Sequence, residues 1–197
     1  MRIKHSMKLA SAAALFAGIL TIGSTAAQTA EGPSDPQIVG IVLAADQIDV
    51  DYGKIALAKS KNKAVREFAQ RMVTDHSAVQ QSVIALAAKL GVKGEDSPTS
   101  TGLKSGAVEV TAKLNALKGK EFDKFYIDNE VAYHKSVNDA VAAVLIPSAR
   151  NPELKAALEG AQPLFLKHGE HAQMIQADYG KTGNNKMSHD KMDKGKN

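Results

Sequence analysis

The sequence predicts an all-α fold: a four-helix bundle with one long crossover between its second and third long helices, the crossover carrying a short extra helix. Three observations predict it. Apolar residues recur in alternating steps of three and four over four long segments, which is how a helix presents one stripe to a core. Short links of turn residues join the first segment to the second and the third to the fourth, whereas a loop rich in Gly, Ser, Pro and Thr over residues 92–101 begins a long connection in between. No series of alternating apolar and polar segments marks strands, so an outer-membrane barrel is not supported.

The four helices occupy one domain, residues 28–180, within a chain of 197 residues that is 44% hydrophobic. Residues 1–27 read as a secretory signal: Arg2, Lys4 and Lys8 precede the apolar run Leu9 to Gly23, and Thr25-Ala26-Ala27 offers small residues for cleavage before Gln28. About 15 apolar residues are short for a membrane span of roughly 20. The expected location is therefore the periplasm or the exterior, with no membrane span left after cleavage. That segment holds three bases and no acid, so the remainder carries 22 Lys and Arg against 21 Asp and Glu. Five of those bases lie in the Lys-rich tail 181–197, which lacks periodicity and is expected to be disordered. Without a basic face or stacking aromatics, nucleic acid is excluded as a partner. The absence of cysteine excludes disulfides, thiolate metal sites and thiol catalysis.

Helix A is expected from Ser34 or Asp35, with Pro36 at the first helical position where its missing N–H costs nothing, to about Lys59. Its stripe is Ile38, Ile41, Ala45, Ile48, Tyr52 and Ile55. Ser60-Lys61-Asn62 allows only a tight reversal, so helix B starts from an Asn62 cap and returns antiparallel, closed by Gly91. Its stripe is Val65, Phe68, Met72, Val79, Val83, Leu86 and Leu90. Leu103 to Leu117 forms the shorter helix of the crossover. Helix C runs from Gly119 to about Ile146, with Phe122, Phe125, Tyr126, Tyr133, Val137, Val141 and Val144 on its apolar side, and Pro147 ends it. Asn151-Pro152-Glu153 announces helix D, which continues to Tyr179 with a kink expected at Pro163. Its stripe is Leu154, Leu158, Ala161, Phe165, Ala172, Ile175 and Tyr179. Two short turns and one long crossover are the connectivity of the ferritin-like class.

Polar residues interrupt these stripes. His76 falls between Met72 and Val79 on helix B, and His168 lies on the centre line of helix D. Asp49 sits beside Ile48 within the apolar arc of helix A. Glu130 and His134, four apart, are stacked on the flank of the helix C stripe. At about 1.5 Å per residue, the antiparallel pairs Asp49/His76 and His134/His168 are each level to within roughly 6 Å. All four helices thus bring a metal-capable side chain to mid-bundle, where a centre of imidazole and carboxylate suits Zn, Cu, Fe or Mn. The alternative is a buried hydrogen-bonded network that fixes helix register. His171, about 60° toward the flank, is a secondary ligand candidate or a rim residue. Asp75 is a supporting partner, Glu170 faces away, and Met72 and Met174 are soft donors that core packing explains as well. Met187, His189 and Met192 are a weak copper or silver motif in the tail.

Ile55-Ala56, Phe68-Ala69-Gln70-Arg71-Met72-Val73-Thr74-Asp75-His76, Phe122-Asp123-Lys124-Phe125-Tyr126 with His134 downstream, and Pro163 with His168 resemble the exported DUF4142 proteins. That is a family of unknown function related to the ferritin-like superfamily. The resemblance covers roughly Gln37 to Tyr179. It implies a helical periplasmic bundle with inward histidines at His76, His134 and His168. The family commonly has Glu where this chain has the shorter Asp49, and the two Glu-x-x-His motifs of ferritin-type di-iron sites are absent, so ferroxidase chemistry does not carry over.

The leading expectation is a metal-binding envelope protein, with a role in stress or metal tolerance and with His76, His134, His168, Asp49 and Glu130 at the site. A structural or interaction module without metal is the second, its partner an envelope protein or another copy of the chain. An oxidase using a redox metal is the third. No nucleophile with an adjacent base supports hydrolysis.

Overall fold

The computed structural model describes residues 31–193, with side chains to Tyr179. The signal expected over 1–27 lies outside the described residues. Among those described, all regular structure is helical: α1 (Asp35–Lys59), α2 (Lys63–Lys89), α3 (Pro98–Ala116), α4 (Gly119–Ala140), a π-helical turn (Val141–Leu145), α5 (Ile146–Ser148) and α6 (Pro152–Asp193). Helices α1 and α2 pack as one antiparallel pair and α4 and α6 as the other, with α3 in the crossover laid against α1.

Local chemistry sets most of the boundaries. Ser34 caps α1 in a reciprocal capping box with Gln37, which satisfies two backbone donors at the helix start. Asn62 caps α2 through the Val65 N–H at 3.3 Å. At the other end Gly91, at φ 65°, donates to the Ala88 carbonyl at 3.2 Å, and Val92 donates to the Ala87 carbonyl at 2.9 Å. That paired reversal is the Schellman arrangement, and it needs a left-handed residue that glycine supplies without strain. Asn151 caps α6 through the N–H groups of Glu153 and Leu154. Asp35 accepts the N–H groups of Arg150 and Asn151, tying the start of α1 to the start of α6.

Four elements differ from the expectation: first, the crossover helix begins at Pro98, inside the loop expected over residues 92–101, because Ser97 caps it in a reciprocal box with Ser100. Helix α1 is buried nearly all round, adding Val39, Val42, Ala44 and Val50 to the expected stripe, because α3 covers a second side of it. The third long helix does not remain α-helical to Ile146: a π turn intervenes, in which the Ile146 N–H reaches back five residues to the Val141 carbonyl. Val144, expected on the apolar side, is 43% exposed there, while Leu145 is buried. The backbone of α6 also continues as helix past Tyr179 to Asp193, where the sequence suggests an irregular tail.

The core forms two apolar clusters. One gathers Tyr52, Phe68, Met72, Phe122, Tyr126 and Ile175. The other gathers Ile38, Ile41, Val83, Val141, Leu145 and Leu158. Asp46 and Asp49, His76, Glu130 and His134, and His168 sit where, along their helices, the segments that supply the two clusters meet. The polar centre is therefore a layer with apolar packing on either side of it.

Candidate metal centre

Each of the four long helices delivers its part of this layer from a position where an apolar side chain would otherwise pack. Asp46 and Asp49 come from α1, His76 from α2, Glu130 and His134 from α4, and His168 from α6, and none is more than 3% exposed. Close approach of the backbones helps. A Cβ on Gly53 would stand 2.8 Å from Val73 Cγ2 and 3.0 Å from the Ala69 carbonyl, so α1 and α2 meet there only because the side chain is missing. At Gly169, next to His168, a Cβ would make only ordinary contact with His134 Cβ, at 3.4 Å.

The hydrogen bonds of the three imidazoles follow one plan. His76 Nδ1 lies 2.8 Å from Asp46 Oδ1, His134 Nδ1 3.1 Å from the backbone carbonyl of Glu130, and His168 Nε2 2.9 Å from Asp75 Oδ2. Carboxylates and carbonyls accept, so these ring nitrogens carry the protons that donate. The other nitrogens, His76 Nε2, His134 Nε2 and His168 Nδ1, are buried and make no hydrogen bond to any described residue. One nitrogen from each ring lies within 4.8 Å of the other two, and one atom each from Asp49, Glu130 and His134 forms a second such triad. His134 belongs to both. Asp49 Oδ2 joins them, 3.3 Å from His76 Nε2 and 3.8 Å from His134 Nε2. Phe165 stacks on the His76 ring at 5.2 Å and helps to fix its plane.

Burial dominates the electrostatics. It pushes the Asp49 and Glu130 carboxyls up to about 7, and mutual repulsion adds to this at Asp49. Burial alone would lower His76, but Asp49 and Asp46 outweigh it and hold the ring at about 9. His168 is pushed down to about 4 by burial and the neighbouring imidazoles, against its bond to Asp75. His134 is also lowered by burial. Two neutral imidazoles thus share the layer with a cationic one and with carboxyls that retain protons near neutrality.

All five principal candidates, His76, His134, His168, Asp49 and Glu130, converge. His171 does not join either triad; it packs edge-on against Phe68 at 5.4 Å, outside the centre. Met72 is part of the apolar core and Met174 is 61% exposed. Glu170 is exposed, and the side chains of Met187, His189 and Met192 lie outside those described. One contributor was not evident in sequence. Asp46 holds His76, and its signal is its place one helical turn before Asp49 on the same face. Asp75, expected as a supporting partner, holds His168 across the bundle and not its chain neighbour His76.

The model of the DUF4142 domain, described as a domain of unknown function, matches residues 21–175. The chain belongs to the DUF4142 family. No curated protein and no solved structure gives a significant match. In this DUF4142 chain the feature that bears on function is the centre itself. The donor set fits a transition ion: His134 and His168 each have one nitrogen held by an acceptor and the other without a hydrogen bond, as metal-ligating histidines are held, and His76 joins them by giving up its second proton to make room for the ion. Donors within 4.8 Å need only small ring and carboxyl adjustments to meet an ion with bonds of about 2 Å.

Proposed function

We propose that this DUF4142 bundle is an exported protein that holds a transition-metal ion, Zn, Cu, Fe or Mn, through His76, His134 and His168, with Asp49 or Glu130 completing the site. Its role is metal handling or stress tolerance in the cell envelope. The observation that carries the metal assignment is that one nitrogen from each of three buried imidazoles lies within 4.8 Å of the other two, while each ring also keeps a nitrogen without a hydrogen bond. Leaving such groups unpaired costs roughly 1 to 3 kcal/mol each, a cost that a ligand in their midst relieves. A bound ion supplies Lewis acidity or, if redox-active, electron transfer. The chain's own residues supply orientation through Asp46, Asp75 and the Glu130 carbonyl, and exclusion of water through the two apolar clusters. Export is supported by the N-terminal pattern of bases, apolar run and small residues.

Metal analysis of untagged protein, beside His76→Ala and His168→Ala, tests the assignment. Stoichiometric metal in the parent and its loss in both variants is expected; metal-free material throughout overturns it. One observation favours a second reading. Both nitrogens of His76 face aspartates of α1, so a metal-free network could staple α1 to α2. On that reading His76→Leu folds at least as stably as the parent, and no metal raises the melting temperature.

A further inference from the structure

Beside the centre lies a cavity of about 320 Å³ between α1, the start of α3, the π turn and α6. Its wall is almost wholly aliphatic, with Val42, Ala140, Val141, Leu145 and Leu158 prominent, and Asp46, Asp49 and His76 also line it. The lining residues Thr99, Ser136 and Val144 are exposed and mark the mouth, between α3 and the third long helix. The π turn shapes this wall, and such turns often accompany functional sites. The polar wall is short of hydrogen-bond donors. Asp46 spends Oδ1 on His76, and its Oδ2, in a residue only 2% exposed, has no hydrogen-bond partner among the described residues; the same holds for Asp49 Oδ1. Two buried oxygens without a partner, on residues that line the chamber, call for a donor.

We propose that the cavity binds a small apolar molecule of roughly a dozen non-hydrogen atoms with a single amine head, its chain among the aliphatic wall and its N–H groups on Asp46 and Asp49. The size follows from comparison with dry cavities of about 150 Å³ that accept benzene. A carboxylate head brings no N–H donor to those oxygens and is disfavoured. The inference does not rest on the metal reading, since the cavity wall and the carboxylate oxygens are present without an ion.

The probe is n-decylamine, with n-decanoate as its counterpart, both below their micellar concentrations. Full-length protein is used, once chelator-treated and once metal-loaded. Methyl-resolved NMR is expected to show Overhauser contacts from the decyl chain to Val141, Leu145 and Leu158 in the chelator-treated protein. Affinity for the amine should exceed that for the carboxylate at least tenfold, and Ala140→Phe, which fills the chamber, should weaken it at least tenfold. Absence of those contacts in the parent protein overturns the proposal, whether or not Ala140→Phe folds. Equal binding of decanoate overturns the amine assignment. Undiminished binding to an Ala140→Phe variant with parental circular dichroism overturns the location. Protein that loads metal but shows no decylamine contacts defeats the cavity alone, and contacts in protein that never takes up metal defeat the metal reading alone.

Discussion

At the scale of single residues, Asp46 and Asp75 are the informative pair, because neither needs to touch a metal to matter for one. Each accepts a hydrogen bond from an imidazole and so selects which nitrogen is left bare. Asp75→Asn keeps the size but weakens the acceptor; on the metal reading it lowers affinity about 10- to 100-fold with little change in fold, as a competition titration against a chelator of known affinity will read. His76 makes a second prediction through its protonation. Its folded pKa, about 9, lies above the ordinary 6.5, so its contribution is fully present below about pH 6.5 and is lost as pH rises through about 9. Asp49 and Glu130, raised to about 7, have completed their own loss by then. Metal-free protein should therefore lose on the order of 2 to 3 kcal/mol between pH 7 and 10, with urea unfolding as the measure and His76→Leu lacking that slope. Metal-loaded protein should show a shallower decline, since the ion binds deprotonated ligands and competes better as protons leave.

At the scale of elements, the glycines separate backbone strain from contact. Gly91 sits at φ 65° with nothing within 4 Å of a built Cβ, so Gly91→Ala isolates the cost of a left-handed residue, about 1 kcal/mol. Gly40 has ordinary φ, but a Cβ there would fall 2.0 Å from the Glu95 carbonyl and displace the chain leaving α2. Gly40→Ala should cost more, roughly 1 to 3 kcal/mol, and chemical denaturation of the two variants side by side tests the order. Legibility in the sequence divides along the same line. The starts of α1, α2 and α6 were readable because Ser34, Asn62 and Asn151-Pro152 act on their own next turn. His76 and His168 were readable because each breaks a periodic stripe. The π turn and the burial of α1 on two sides were not, since Pro147 signals only a stop and the cover from α3 is a tertiary contact. Asp46 was missed for a related reason: beside Asp49 it looks like an ordinary helical acid until α2 is packed against it.

At the scale of the molecule, the polar layer divides one core into two apolar clusters, and a ligand there acts on the whole bundle. Metal at a hundredfold excess over its dissociation constant adds about 2.7 kcal/mol, and for a chain of this size that raises the melting temperature by about 5 to 10 °C. Calorimetry with and without the ion decides it; an unchanged transition favours the metal-free network. The four-helix origin of the centre also has a bearing on time. Its donors come from α1, α2, α4 and α6, so no pair of neighbouring helices can assemble the complete set, and the set closes only after the long crossover has been traversed. We predict that closure follows the folding barrier. An interaction formed that late slows escape from the native state and leaves the approach to it unchanged. Stopped-flow refolding should proceed at the same rate with or without metal, while unfolding slows about a hundredfold for the stabilisation above. The ion would act as a latch on a finished bundle and not as a nucleus for building it.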